Sequence, residues 1–96
     1  MRIVILPSAR DDLSAGFRFY ELQEYGLGSY FLNSLLQDID SLDMLAGRHR
    51  RVLGLHRFLA TIFPYAIYYE FDAETVYVKA VFDCRRDPVW IRRKLK

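Results

Sequence analysis

The residues best suited to chemistry lie in the second half of the chain. Asp83-Cys84-Arg85-Arg86-Asp87-Pro88 places two adjacent guanidiniums between two carboxylates and ahead of a proline. Arginine presents a rigid fork of donors that matches carboxylate or phosphate oxygens. The same spacing also describes a solvated turn in which Asp83 and Asp87 pair locally with Arg85 and Arg86, and pairs of that kind contribute little. A second basic cluster is Arg48, His49, Arg50 and Arg51, followed by His56-Arg57. A histidine there could act as general acid or base near neutral pH, with Arg57 stabilising a phosphoryl oxyanion. The plainer alternative is a solvated loop and a histidine at a strand end. Cys84 has no histidine at a spacing that would make it a nucleophile, and reads as a small buried thiol. Two histidines and one cysteine supply no zinc spacing. Trp90 lies between Pro88 and Arg92-Arg93-Lys94. It either pins the tail to the body or anchors a partner. Tyr65, Tyr68, Tyr69 and Tyr77 lie in strand-like sequence, where neighbours point to opposite faces; some belong to the core and others are candidates for a base-stacking surface.

The elements that must position these groups follow from periodicity. Arg2–Leu6 (RIVIL) is a β-branched run closed by Pro7, which predicts a first strand. Ser8 with Asp11 three residues on suggests a capping box opening a helix. Apolar residues at Leu13, Phe17 and Tyr20 form its stripe. Gly16 within that stripe costs about 1 kcal/mol of helix propensity, so either something packs close there or the helix is locally weak. After Gly26-Leu27-Gly28, a second stripe runs through Leu27, Phe31, Leu35, Ile39, Leu42 and Ala46, with Asp38, Asp40 and Asp43 on the opposite face and Gly47 as terminator. Two such helices with a short glycine-containing turn predict an antiparallel hairpin. Arg48–Gly54 reads as a loop. His56–Ile62, Tyr65–Phe71 and Thr75–Phe82 read as strands of an antiparallel meander, with Asp72-Ala73-Glu74 as a turn. Asp87–Lys96 suits a short helix with Pro88 in its first turn. The predicted order is β-α-α-β-β-β with a basic tail: an α+β fold in which a helical hairpin packs on a small antiparallel sheet.

Composition bounds the setting. The chain has 96 residues, 52% of them hydrophobic and 16% aromatic, enough for one domain, 1–96, with a substantial core. No apolar run reaches the ~20 residues of a membrane span. A single cysteine excludes an internal disulfide and suits a reducing cytoplasm. Net charge is +2 but uneven. Residues 1–47 hold three arginines against seven carboxylates and carry −4, while residues 48–96 carry +6. The basic half suits an acidic partner, either nucleic acid or protein. Nothing in the sequence calls for a metal or a cofactor.

Ala9-Arg10-Asp11-Asp12-Leu13, Gly28-Ser29-Tyr30-Phe31, Phe63-Pro64-Tyr65-Ala66-Ile67-Tyr68-Tyr69 and Ala80-Val81-Phe82-Asp83-Cys84-Arg85-Arg86-Asp87-Pro88 with Trp90 occur in an order and spacing that resembles the RelE/ParE superfamily of type II toxin–antitoxin toxins. The resemblance covers essentially the whole chain. It implies a toxin neutralised by a cognate antitoxin encoded beside it, whose disordered tail would wrap the helical hairpin and sheet. Operator DNA would then be bound only indirectly, through the antitoxin. RelE-like members cleave ribosome-bound mRNA; ParE-like members poison DNA gyrase. The RelE-like nuclease pattern expects an arginine where this chain has Ala66. It also expects lysines on the sheet and a C-terminal tyrosine, but there is no Lys between Asp38 and Lys79 and no Tyr after Tyr77. Arginine cannot serve as a general base, so a nuclease here would rely on His56 with Arg57 and Arg86, or on His49. The Arg-Arg-Asp-Pro ending with a following Trp resembles the ParE-like branch. That resemblance implies a plasmid-stabilisation toxin acting on gyrase, with Arg57, Arg85, Arg86, Trp90, Arg92 and Arg93 as the candidate residues for binding target or partner. A non-toxic, antitoxin-binding relic is the third reading.

Overall fold

A computed structural model describes residues 1–96. Strand β1 (Arg2–Ile5) leads directly into α1 (Pro7–Glu21). Proline fixes the first helical φ at Pro7, so the helix starts two residues earlier than a Ser8 cap would allow. Leu6 is the N-cap and no side chain caps the helix. Ser8 is inside the first turn, and its hydroxyl donates to the Lys79 carbonyl at 2.8 Å; the expected capping box with Asp11 is not formed. The Glu21 carboxylate ends α1 and opens the next helix, accepting from the backbone N–H groups of Gly26 and Gly28. Gly16 has a close packing partner, since a Cβ there would stand 2.5 Å from the Phe31 ring.

Helix α2 (Leu27–Asp40) stops short of the predicted Ala46. Ser41 Oγ donates back to the Asp38 carbonyl, and one further turn, α3 (Leu42–Leu45), completes the apolar stripe. Asp38 is buried rather than on the solvent face, because its carboxylate accepts from both the N–H and the hydroxyl of Thr61 at 2.9 and 2.7 Å. Gly47 follows with φ +91°, a left-handed terminator as expected.

The Arg48–Gly54 segment is not only loop. Strand β2 (Arg51–Val52) pairs with β3 (Leu55–Leu59) through a two-residue turn in which Leu53 and Gly54 both have positive φ, a geometry that matches strand twist. The β3 strand ends at Leu59, short of the predicted Ile62, because Thr61 is drawn to Asp38. Strand β4 (Tyr65–Phe71) and strand β5 (Thr75–Asp83) follow. Their turn is stitched by Asp72, which accepts from the backbone of Glu74 and Thr75.

The sheet order is β1-β5-β4-β3-β2. The α+β class holds, but the sheet is mixed rather than purely antiparallel, since β1 lies parallel to β5 with Ile3 opposite Val76. Strand β5 is an outer strand of the meander and pairs with β1 on its far side, and the helical hairpin lies in the long connection a parallel pairing needs. A bulge between Tyr68 and Tyr69 leaves Lys79 unopposed and reverses the facing of β5 beyond it. The hairpin face therefore buries Val76, Val78 and Val81 with Phe31, Leu35, Ile39, Tyr65, Ile67 and Tyr69. On the other face, Leu55, Ala66, Tyr68, Ala80 and Phe82 are covered by the tail helix α4 (Pro88–Leu95) through Trp90, Ile91 and Leu95.

Candidate functional site

The tail turn distinguishes the two adjacent arginines. Arg85 closes a fork on Asp83, with Nε to Oδ1 at 2.9 Å and Nη2 to Oδ2 at 2.7 Å. That pairing holds the Asp83 carboxyl below its ordinary range. Asp87 does not pair with an arginine; its carboxylate caps α4 by accepting from the Val89 N–H at 2.9 Å. Arg86 is left without a carboxylate partner. Its guanidinium lies over the Trp90 ring, 4.2 Å from the centroid, and is exposed. Trp90 in turn meets Phe82 edge-on at 5.0 Å. It thus pins the tail to the sheet while presenting Arg86 to solvent. Arg92, Arg93 and Lys94 are exposed in the last turn of α4, where cations oppose the negative end of the helix dipole.

The second basic cluster divides between the two faces of the sheet. Arg57 is on the α4 face, with Nε 3.3 Å from the Tyr68 hydroxyl and Nη2 3.8 Å from Cys84 Sγ. His56, one residue earlier, is on the hairpin face and stacks on Tyr69 at 5.2 Å. Its Nδ1 is 2.7 Å from the His49 carbonyl, which only accepts, so Nδ1 carries the proton. His49 is not solvated loop either. It stacks on Phe58 at 4.2 Å, and its Nδ1 is 2.6 Å from the Tyr69 hydroxyl, which also accepts from the Gly47 N–H. Burial, reinforced by His56, lowers the His49 pKa. The grouping His56, Arg57 and Arg86 is therefore not assembled around one point. Tyr65, Tyr68 and Tyr69 are core residues, and only Tyr77 is partly exposed. No group of three or more His, Cys, Asp and Glu is placed to hold a metal ion.

Two concave surfaces escaped sequence reasoning. One is an apolar groove of about 460 Å³ along the hairpin, floored by Leu13, Phe17, Leu32 and Leu36 and flanked by Arg10 and Arg18. The other is a cleft of about 310 Å³ between α1 and the junction of β5 with α4. Asp12 lies in its wall and accepts from the Val81 N–H at 2.9 Å, closing the β5 edge beyond the end of β1. Burial raises the Asp12 pKa, partly offset by that hydrogen bond and by Lys94. Tyr65, at the floor, has its hydroxyl pKa pushed up to about 12, chiefly by burial. The spacing of Asp12, Ala15, Gly16 and Phe19 marks a second α1 face, but a sequence cannot say what that face meets.

No family model matches the sequence, and neither does any curated protein. Among solved structures, the fold is similar to that of a chain in a structure described as the chromosomal ParDE TA system from P. aeruginosa. The TM-score is 0.74 at 13% identity, covering 86% of this chain and 95% of that one. At that identity the likeness is one of fold. No helix is long and apolar enough to cross a membrane.

Proposed function

We propose that this chain is the toxin of a type II toxin–antitoxin system, held inactive by an antitoxin and acting on DNA gyrase by binding. The observation that carries the toxin reading is the fold shared with a chain of a ParDE system. The hairpin groove suits the antitoxin. Its apolar floor between Arg10 and Arg18 fits an amphipathic segment with carboxylates at its margins, ordered on binding. The acting surface is the tail, where Arg86 is free of any carboxylate, Trp90 fixes it in place, and Arg92 and Arg93 extend the same basic run. Arg85, already neutralised by Asp83, contributes less than Arg86. Arg57 reaches a partner only at the margin of α4, since it is partly buried against Tyr68 and Cys84. Cleavage of mRNA is the weaker reading, because the one candidate proton carrier on β3, His56, is on the opposite face of the sheet from Arg57.

Supercoiling by purified gyrase with antitoxin-free protein tests this. Inhibition is expected, with trapped double-strand breaks, and relief when the small protein encoded beside the gene is added. Arg86→Ala should keep the fold, because the side chain is exposed and loses only a cation–π contact of about 1 kcal/mol, but should lose most of the inhibition. Unaffected gyrase, with the protein well above the enzyme concentration, would refute the gyrase target.

A further inference from the structure

The cleft beside Asp12 has the chemistry of a small-molecule site, and of its lining the toxin reading uses only Arg86 and Trp90. Its volume of about 310 Å³ is at the lower end of the range for ligand pockets. One wall is the α1 face carrying Asp12 and Phe19; the other is Phe82, Trp90 and Arg86, with Tyr65 at the floor. Phe19 is half-exposed although it packs edge-on against Tyr20 at 5.0 Å, so an aromatic surface is left uncovered at the mouth. Asp12 Oδ2 takes the Val81 N–H, while Oδ1 has no donor from the protein. No unpartnered side-chain oxygen of a partly or fully buried residue is itself buried, so Oδ1 is accessible to solvent, and Asp12 lines the cleft. A carboxylate has about four lone-pair sites, and most of those on Asp12 are vacant. At the mouth, the Arg86 guanidinium has Trp90 beneath it and no carboxylate opposite.

An aromatic slot, a half-buried double acceptor and a free guanidinium select a flat ring with two adjacent N–H donors and an attached anion. A cationic ligand fits less well, because Arg86 lines the cleft and Lys94 already acts on Asp12. Among the bases, guanine presents N1–H and the N2 amino group side by side. Adenine places the N1 acceptor beside its amino group, which would repel the carboxylate. We infer that the Asp12 cleft binds a guanine nucleotide, with the base edge on the Asp12 carboxylate, the ring against the uncovered surface of Phe19, and the phosphate on Arg86. The same chemistry is offered by a free nucleotide and by a guanine in a single strand.

Trp90 is the only tryptophan and lines the cleft, so its fluorescence reports occupancy directly. The full chain is titrated with GMP, with AMP, and with a single-stranded RNA tetranucleotide containing one G or none. GMP should change the emission saturably and bind roughly tenfold tighter than AMP, the discrimination a good paired edge contact supplies. If the G-containing strand alone responds, the site takes a strand-presented base; if GMP responds, it takes the free nucleotide. Asp12→Asn keeps an acceptor for Val81 and, with an unchanged circular dichroism spectrum, should erase the preference for G over A. Arg86→Ala should weaken GMP binding and leave guanosine binding unchanged. No saturable response to either G ligand, equal response to A and G, or a preference retained in Asp12→Asn would overturn the assignment. None of these readouts involves gyrase or an antitoxin, so failure here leaves the toxin proposal standing, and the reverse.

Discussion

Replacing Trp90 with alanine should release α4 without unfolding the protein. No residue of α4 is fully buried, and an eight-residue helix is marginal in water without tertiary support. That support is Trp90, Ile91 and Leu95 against the Tyr68–Phe82 face. A fully buried Trp→Ala change costs about 3–5 kcal/mol. Trp90 is only partly buried, and what it loses is part of that burial, the edge-on Phe82 contact and the Arg86 and Lys94 cation–π contacts. Together these come to about 2 kcal/mol. All of that cost falls on docking of the tail, because the hairpin core does not include it. Native-state hydrogen exchange is the appropriate assay, since it reads local opening separately from global unfolding. The amides of residues 91–95 should exchange roughly thirtyfold faster. Those of β4 and β5 on the hairpin side should hold their rates, and the urea midpoint should move little. Unchanged exchange in 91–95 would show that Ile91 and Leu95 hold the tail alone. A large fall in the global midpoint would show that α4 folds as one unit with the core, and either result refutes the account of the tail as a separately docked element.

Gly16→Ala should destabilise by about 1–3 kcal/mol despite the better helix propensity of alanine, because the new methyl meets Phe31 at 2.5 Å in the packed interior; urea unfolding measures it. Asp38→Ala should cost about 2 kcal/mol by leaving the Thr61 N–H and hydroxyl without their acceptor, again read from the urea midpoint, with the β3–β4 connection the first region to lose exchange protection. The pH dependence follows from His49. Its folded pKa is depressed by burial, so the unfolded chain binds the proton more readily, and its contribution is intact above about pH 6.5 and lost progressively as pH falls below that value. Urea midpoints between about pH 7.5 and 5.5 should decline with acidification, and the decline should flatten in His49→Gln.

The hairpin, the three meander strands and the tail helix were legible because each is a local pattern: a stripe at helical spacing, a run of aromatic and branched residues, a proline at a first turn. Gly47 was legible as a terminator, and Gly16 as a break in a stripe that close packing or a locally weak helix could explain; the Phe31 ring against it decides for packing. What escaped were features created by pairs far apart in the chain. Nothing in the 38–40 stretch marks Asp38 as the buried one, since its partner Thr61 is 23 residues away. The parallel docking of β1 on β5 joins segments some seventy residues apart, and no periodicity encodes a sheet edge that only the folded meander exposes.

The candidate site shows the same limit more sharply. Alternation assigns neighbouring residues to opposite faces, which is enough to separate His56 from Arg57 once both are placed in a strand. It does not survive the bulge at Lys79, beyond which every β5 side chain changes face. Without that extra residue Val81 would point away from the hairpin and Phe82 into it, and Trp90 would find no aromatic edge to rest on. The same step brings the Val81 N–H to Asp12 and leaves the second Asp12 oxygen open to the cleft. One unopposed residue in β5 thus sets which face α4 covers, where Arg86 is held and what the cleft beside α1 presents. Lys79 is tied at both ends: its carbonyl accepts from Ser8 and its ammonium pairs with Glu70 at 3.0 Å. The fold stabilises that irregularity through side chains on α1 and β4, where the sequence offers only a lysine in a run of apolar residues.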